Sequence, residues 1–212
     1  NIRYYKNKIQ SGIPYSRNKI NRLCNGKYII VTDDDDIIFS NRVESILDKL
    51  TYNDGKFAGT NSGWINFNLP QNKLGTFEPG GLMTPETLLF SGKIAMHPVM
   101  CYRKDVIQKI TYPEYTPFNS DYAVLSEIVC NGYNFVNTNS YNIIKIDHNN
   151  CVTNTKPKIN YAAIYREKLL NLFYSHPKFQ LKKKSRTGYS TSKYLENKCR
   201  IIKMNNIYNP CK

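Results

Sequence analysis

Apolar and polar positions follow two alternating rhythms along the first third of this chain. Residues 2–5 form a short β-like start. After Pro14 the spacing turns helical: Ile20, Leu23 and Cys24 share one face, and Gly26 stops the run. Residues 28–31 are apolar, mostly β-branched, and read as a buried strand. Four aspartates, Asp33, Asp34, Asp35 and Asp36, end that strand abruptly, and apolar residues resume at Ile37. Ser40 is placed to cap a helix in which Val43, Ile46, Leu47 and Leu50 form a stripe. Asn53-Asp54-Gly55 is a turn, and residues 57–60 read as a further strand. Strand, helix, strand, helix, strand argues for an α/β fold with a parallel sheet.

The pattern then loosens. Residues 62–87 are rich in Gly, Asn and Pro, with alternating pieces such as Trp64-Ile65-Asn66-Phe67, which predicts short strands and loops over a site. Residues 99–102 read as a strand and 105–110 as a short helix. Ser120 is expected to cap a helix carrying Tyr122, Leu125, Ile128 and Val129, closed by Gly132. Residues 135–136 and 141–146 are strand-like. A helix from Asn160 presents Tyr161, Ile164, Tyr165, Leu169, Leu172 and Phe173 along one side. Residues 176–191 are polar, basic and weakly patterned, and a last helix is expected over 192–203.

Length and composition narrow this picture. The 212 residues suit one domain with an appendage, and 41% hydrophobic residues suffice for a sizeable core. The domain is expected over residues 1–155, and a helical, basic extension over 156–212. The formal charge of +14 attracts polyanions: nucleic acid, anionic membrane or phosphorylated small molecules. Much of the excess lies beyond Lys156, as in Lys182-Lys183-Lys184. That tail reads as a solvated appendage or as a nucleic-acid contact. It carries no zinc-finger or RNA-recognition signature, so sequence-specific nucleic-acid binding is not expected. The six cysteines are scattered without a C-x-x-C pair, which argues against a zinc module. No stretch reads as a signal peptide or transmembrane span, and a cytoplasmic location is expected. The chain starts at Asn1 without a methionine, as an excised piece of a longer protein would.

The acids carry the candidate chemistry. Open α/β sheets place ligands at the C-terminal ends of their strands, where these four carboxylates stand. Adjacent carboxylates repel, and a bound cation relieves that cost. Hard ions such as Mg²⁺ and Mn²⁺ take such oxygens, often shared with substrate phosphates. The other reading is an acidic surface turn.

A family resemblance supports the first reading. Ser16-Arg17-Asn18, then Asn25-Gly26-Lys27-Tyr28-Ile29, then the aspartates resemble family 2 glycosyltransferases, in which an Arg-Asn helix leads into a strand ending in a D-x-D motif. His97-Pro98 with Arg103-Lys104 resembles the family's His-Pro…Arg-Lys strand. Asn119-Ser120-Asp121-Tyr122 resembles its Glu-Asp-Tyr helix start, with Ser120 where the family usually has Glu. Residues 144–150, containing His148, resemble its closing Tyr-Arg-x-His segment. Together these cover residues 2–155.

The resemblance implies a GT-A fold, a mixed sheet flanked by helices, and transfer of a sugar from a UDP- or GDP-sugar to a glycan or protein acceptor. It assigns Asp35 and Asp36 to a Mn²⁺ or Mg²⁺ ion. Asp33 and Asp34 fall to the nucleotide-sugar, although alternation along an extended backbone would turn Asp34 to the other face. Asp121 corresponds to the catalytic base of an inverting displacement; it is equally a first-turn acid favoured by the helix dipole. Arg17 is a candidate nucleotide contact. His148 is a metal or diphosphate contact or a plain surface histidine. Trp64 and His97 are candidates for sugar or acceptor contact, with core packing as the other reading for each. Arg103 is expected in a strand-end ion pair.

One departure stands out. Asn1 already aligns with the third strand of the family pattern, so the fold is expected to be N-terminally incomplete. The first strand-helix-strand unit would come from a missing segment or a partner chain. A catalytically inactive GT-A remnant that binds a saccharide or a partner is the alternative function.

Overall fold

The computed structural model describes residues 2–149, apart from 54, 70, 78–82, 84–87, 89–95 and 116–118, and beyond them Glu167 and Asn171. The chain forms two compact units, Asn1–Ile159 and Asn160–Lys212. In the second, Glu167 and Asn171 are helical and exposed. The apolar face expected over 160–173, the basic stretch 176–191 and the helix over 192–203 otherwise lie outside the described residues.

The first unit is built on a mixed sheet. Its strands are β1 (Tyr28–Ile30), β2 (Ile37–Ile38), β3 (Gly59–Asn68), β4 (Lys73–Phe77), β5 (Cys101–Arg103) and β6 (Phe135–Asp147). Their order is β1-β5-β3-β6-β2, with β4 paired to β3. β5 is antiparallel to both β1 and β3, and β3 is parallel to β6. The strands β1, β3 and β6 therefore run the same way, as the strand-helix alternation predicts, with β5 inserted against them. β2 closes the far edge antiparallel to β6. The helices are α1 (Ile13–Leu23), α2 (Arg42–Tyr52), α3 (Lys104–Lys109) and α4 (Ser120–Cys130).

The core fills the layers around this sheet. α4 is buried almost all round, through Ser120, the run Tyr122 to Ser126, Ile128 and Val129. Gly132 ends it with φ 85, the left-handed position that glycine adopts at no steric cost. On α2, Ile46 and Leu50 meet Cys101, Tyr28 and Ile30. At the start of β3, Gly59 leaves no room for a side chain: an added Cβ would lie 1.8 Å from the Cys101 carbonyl oxygen. The strand-like segments 135–136 and 141–146 are one strand, whose register with β3 shifts near Asn139, a left-handed residue with φ 59.

Several local expectations need correction. Residues 2–5 form no strand; Ile2 and Tyr4 are exposed, with no neighbouring strand to bond. α1 buries Pro14, Asn18 and Asn21, while Ile20 is exposed. On that face Asn18 bonds the Tyr112 backbone, and the Asn21 carbonyl accepts from Gln108 of α3. On α2 the buried stripe is Arg42, Ile46 and Leu50, and Val43 and Leu47 face out. Asn41, not Ser40, precedes α2. Asn119, left-handed at φ 57, is the cap of α4, and Ser120 is its first helical residue. Of the loose region 62–87, the stretch 62–77 is the rest of β3 and the β3–β4 hairpin, because its alternating residues pair with both β4 and β6; most of 78–87 lies outside the described residues. Among the described residues no helix is long and apolar enough to cross a membrane.

Candidate active site

The acidic turn links the two ends of the sheet. β1 ends at Ile30, the backbone N–H of Val31 still bonds the Met100 carbonyl at 3.1 Å, and β2 begins at Ile37 beside β6. Residues 33–36 therefore span from the β1 edge of the sheet to its β2 edge. Asp34 and Asp35 lie in a tight turn, so the alternation of an extended strand does not hold there. Asp33, Asp35 and Asp36 gather, with one carboxylate oxygen from each within 4.8 Å of the others. Asp34 is exposed and lies outside that group.

The end of β6 holds the far side of the turn. The Ile146 N–H donates to Asp36 Oδ1 at 3.2 Å, and His148 Nε2 lies 3.2 Å from Asp35 Oδ2. The other oxygen of Asp36 is buried and has no hydrogen-bond partner. Burial raises the Asp36 pKa above its ordinary 3.8, against the lowering effect of the Ile146 N–H. Burial likewise raises Asp33, opposed by the Arg17 charge and reinforced by Asp35, Asp34 and Asp121. A divalent cation fits this set: three hard oxygen donors converge, two of them hold protons too readily for an open surface, and one buried oxygen is unpartnered.

Arg17 on α1 and Asp121 in the first turn of α4 both act electrostatically on Asp33, Arg17 lowering and Asp121 raising its pKa. The Arg17 guanidinium lies over the Tyr112 ring, 5.6 Å from its centroid. Its neighbour Asn18 clamps the Tyr112 backbone at both polar atoms: Nδ2 donates to the carbonyl and Oδ1 accepts from the N–H, each at 2.8 Å.

The remaining candidates lie elsewhere. His97 is only 4% exposed and its Nε2 is 2.5 Å from the Tyr112 hydroxyl. Burial, aided by Arg17, drives its pKa well below 6.5, so the imidazole is neutral. Of its two readings, core packing and acceptor contact, the burial and the Tyr112 hydroxyl favour the first. Trp64 stacks on Phe77 across the hairpin, centroids 4.9 Å apart and planes 7° from parallel. Arg103 pairs with Asp105 at 2.5 Å.

Two buried polar residues escaped the sequence reading. Tyr112 follows no motif, and its role appears only when Asn18 and His97 are seen around it. Arg42 is 2% exposed on the first turn of α2, where a solvated arginine is the ordinary expectation. Only the apolar spacing to Ile46 and Leu50, at i+4 and i+8, could have placed it on the buried face.

Comparison with known proteins agrees with this arrangement. Residues 1–111 match the family model for glycosyl transferase family 2. The chain belongs to that family. As a family 2 member it resembles an uncharacterized glycosyltransferase of Methanocaldococcus jannaschii, 28% identical over 137 residues, covering 63% of this chain and 47% of that protein. Its fold is similar to that of S. aureus TarS 1–349, solved in complex with UDP-GlcNAc, with a TM-score of 0.52 at 11% identity. That match covers 79% of this chain and 48% of the other. The shared architecture is the GT-A fold, and this family 2 chain spans about half the length of both relatives.

Proposed function

We propose that this chain carries the metal and catalytic end of a glycosyltransferase that moves a hexose from a nucleotide-diphosphate sugar to an acceptor hydroxyl, with inversion, in the cytoplasm. The observation that carries the reading is the convergence of Asp33, Asp35 and Asp36 within 4.8 Å, at the end of the sheet where Asp121 acts on Asp33. Asp35 and Asp36 would hold Mn²⁺ or Mg²⁺, with Asp33 toward the ribose or sugar. Bound there, the ion would neutralise charge on the diphosphate leaving group.

The chain's own groups supply the rest. Asp121 accepts the proton of the acceptor hydroxyl as its oxygen bonds the anomeric carbon. The carbon–oxygen bond to the diphosphate breaks with its electron pair on the diphosphate, and one displacement inverts the centre. Arg17 offers a guanidinium fork to phosphate. His148, already turned toward Asp35, offers a second donor on the leaving-group side. Because the TarS structure holds UDP-GlcNAc, UDP-hexoses are the first donors to test and GDP-sugars the second.

The test is nucleoside diphosphate release from UDP-sugars by the full chain with Mn²⁺, comparing Asp35→Ala and Asp121→Ala. Each variant is expected to lose about 10²-fold or more, the scale of general-base catalysis. Unchanged turnover in both would refute the proposal.

A further inference from the structure

Arg42 is among the largest wholly buried side chains, yet no carboxylate among the described residues pairs with it. Its Nη2 donates to two carbonyls, Val31 and Pro98, the latter at 2.5 Å. Val31 lies two residues before Asp33, and Pro98 lies in the turn His97–Val99. That one nitrogen thus ties the root of the acidic turn to the segment that carries His97. Its Nε and Nη1 are buried without a partner.

Such a residue is expensive to bury. A guanidinium removed from water with two nitrogens unpartnered is disfavoured, and a leucine or methionine would pack α2 against the sheet at lower cost. Burial lowers the Arg42 pKa, and the charges that oppose this are Cys101, Asp36 and Asp33. The Cys101 thiol is itself pushed up to about 12 by burial and is neutral at ordinary pH. The groups left to answer the buried positive charge are two of the three clustered carboxylates.

We propose that Arg42 is a positioning residue for the metal site: its Nη2, bonded to the Val31 and Pro98 carbonyls, fixes the end of β1 and the root of the acidic turn against the His97–Val99 turn. This inference rests on the metal reading of the acidic turn. Groups that orient metal ligands from behind change affinity by about 10–100-fold when altered. Arg42 does this without touching the ion, by holding the backbone from which Asp33 projects.

The experiment is calorimetric titration of the full chain with Mn²⁺, for the unaltered protein, Asp35→Ala and Arg42→Lys, with circular dichroism to check folding. Lysine keeps the charge, but its side chain is one bond shorter and withdraws the donor nitrogen from the two carbonyls. Arg42→Lys is expected to bind Mn²⁺ about 10–100-fold more weakly. In turnover its KM for Mn²⁺ should rise while kcat at saturating Mn²⁺ stays within about threefold, a split that a general loss of fold would not give. Folded Arg42→Lys with unaltered Mn²⁺ affinity would overturn the proposal. If lysine prevents folding, Arg42→Gln, which retains a donor for one carbonyl, decides in the same way: unaltered affinity overturns the proposal and weakened affinity supports it. Failure of the unaltered protein to bind Mn²⁺, or binding that survives Asp35→Ala, would sink the metal reading and this inference with it. Binding lost in Asp35→Ala but unaltered in Arg42→Lys would sink this inference alone.

Discussion

Replacing Asn18 with alanine tests how the arginine side of the site is held. The Asn18 side chain is 3% exposed and makes three hydrogen bonds: to the Tyr112 carbonyl and from the Tyr112 N–H at 2.8 Å each, and to Glu114 Oε1 at 3.0 Å. The bond to Glu114, only part-buried, counts for little. The other two matter, because Tyr112 is 2% exposed and its backbone groups would lose their partners in the interior. Each buried unsatisfied group costs about 1–3 kcal/mol, so truncation should destabilise the protein by about 2–5 kcal/mol. A water entering the vacated space would bring the loss toward the lower end. For a chain of this length, about 3 kcal/mol corresponds to a fall in Tm of roughly 6–12 °C. Urea unfolding followed by circular dichroism measures the free energy, and a thermal melt checks it. A loss under about 0.5 kcal/mol, the range of ordinary surface changes, would refute the clamp.

Two further outcomes follow from the same structure. Asp33 and Asp36 both have folded-state values above the unfolded 3.8, so their contribution to stability is complete only below 3.8 and is lost as pH rises through the raised values. Mn²⁺, which needs the carboxylates ionised, should therefore raise Tm most near neutral pH and progressively less toward about pH 4, read by scanning fluorimetry; a gain independent of pH would contradict this. Gly59→Ala should cost about 3 kcal/mol or more, because its Cβ would meet backbone at 1.8 Å and 2.8 Å on Cys101 and 3.0 Å on Tyr102, none of which can swing aside. A urea midpoint equal to the unaltered protein's would show that the β3–β5 contact is looser than it stands.

What was legible in the sequence is what repeats at short range. The strand running into the aspartates, the short helix after Arg103 and the glycine closing α4 are local signals, and each stands where the pattern put it. The resemblance of four ordered segments likewise pointed to the GT-A fold. What escaped was set by distant partners. β3 is ten residues long because β4 and β6 pair along it, although Gly, Asn and Ser in its first half read as loop. α1 turns Asn18 inward because Tyr112, 94 residues away, supplies its hydrogen bonds. Arg42 is buried because two carbonyls from separate segments meet over its helix. In each case the deciding partner lies in a distant segment that no window of periodicity contains.

The bonds that hold the acidic turn have a bearing on how the chain folds. Asp36 is held by Ile146 and Asp35 by His148, residues 110 and 113 positions later. Among the described residues β2, which ends the turn, has its ladder with β6 alone. During synthesis the aspartates emerge more than a hundred residues ahead of these partners. Contacts of such long range close late and slowly. Until β6 docks, the cluster is a flexible run of mutually repelling charges. The metal site thus completes with the sheet, and a chain stopped before β6 would carry every acidic ligand without the site.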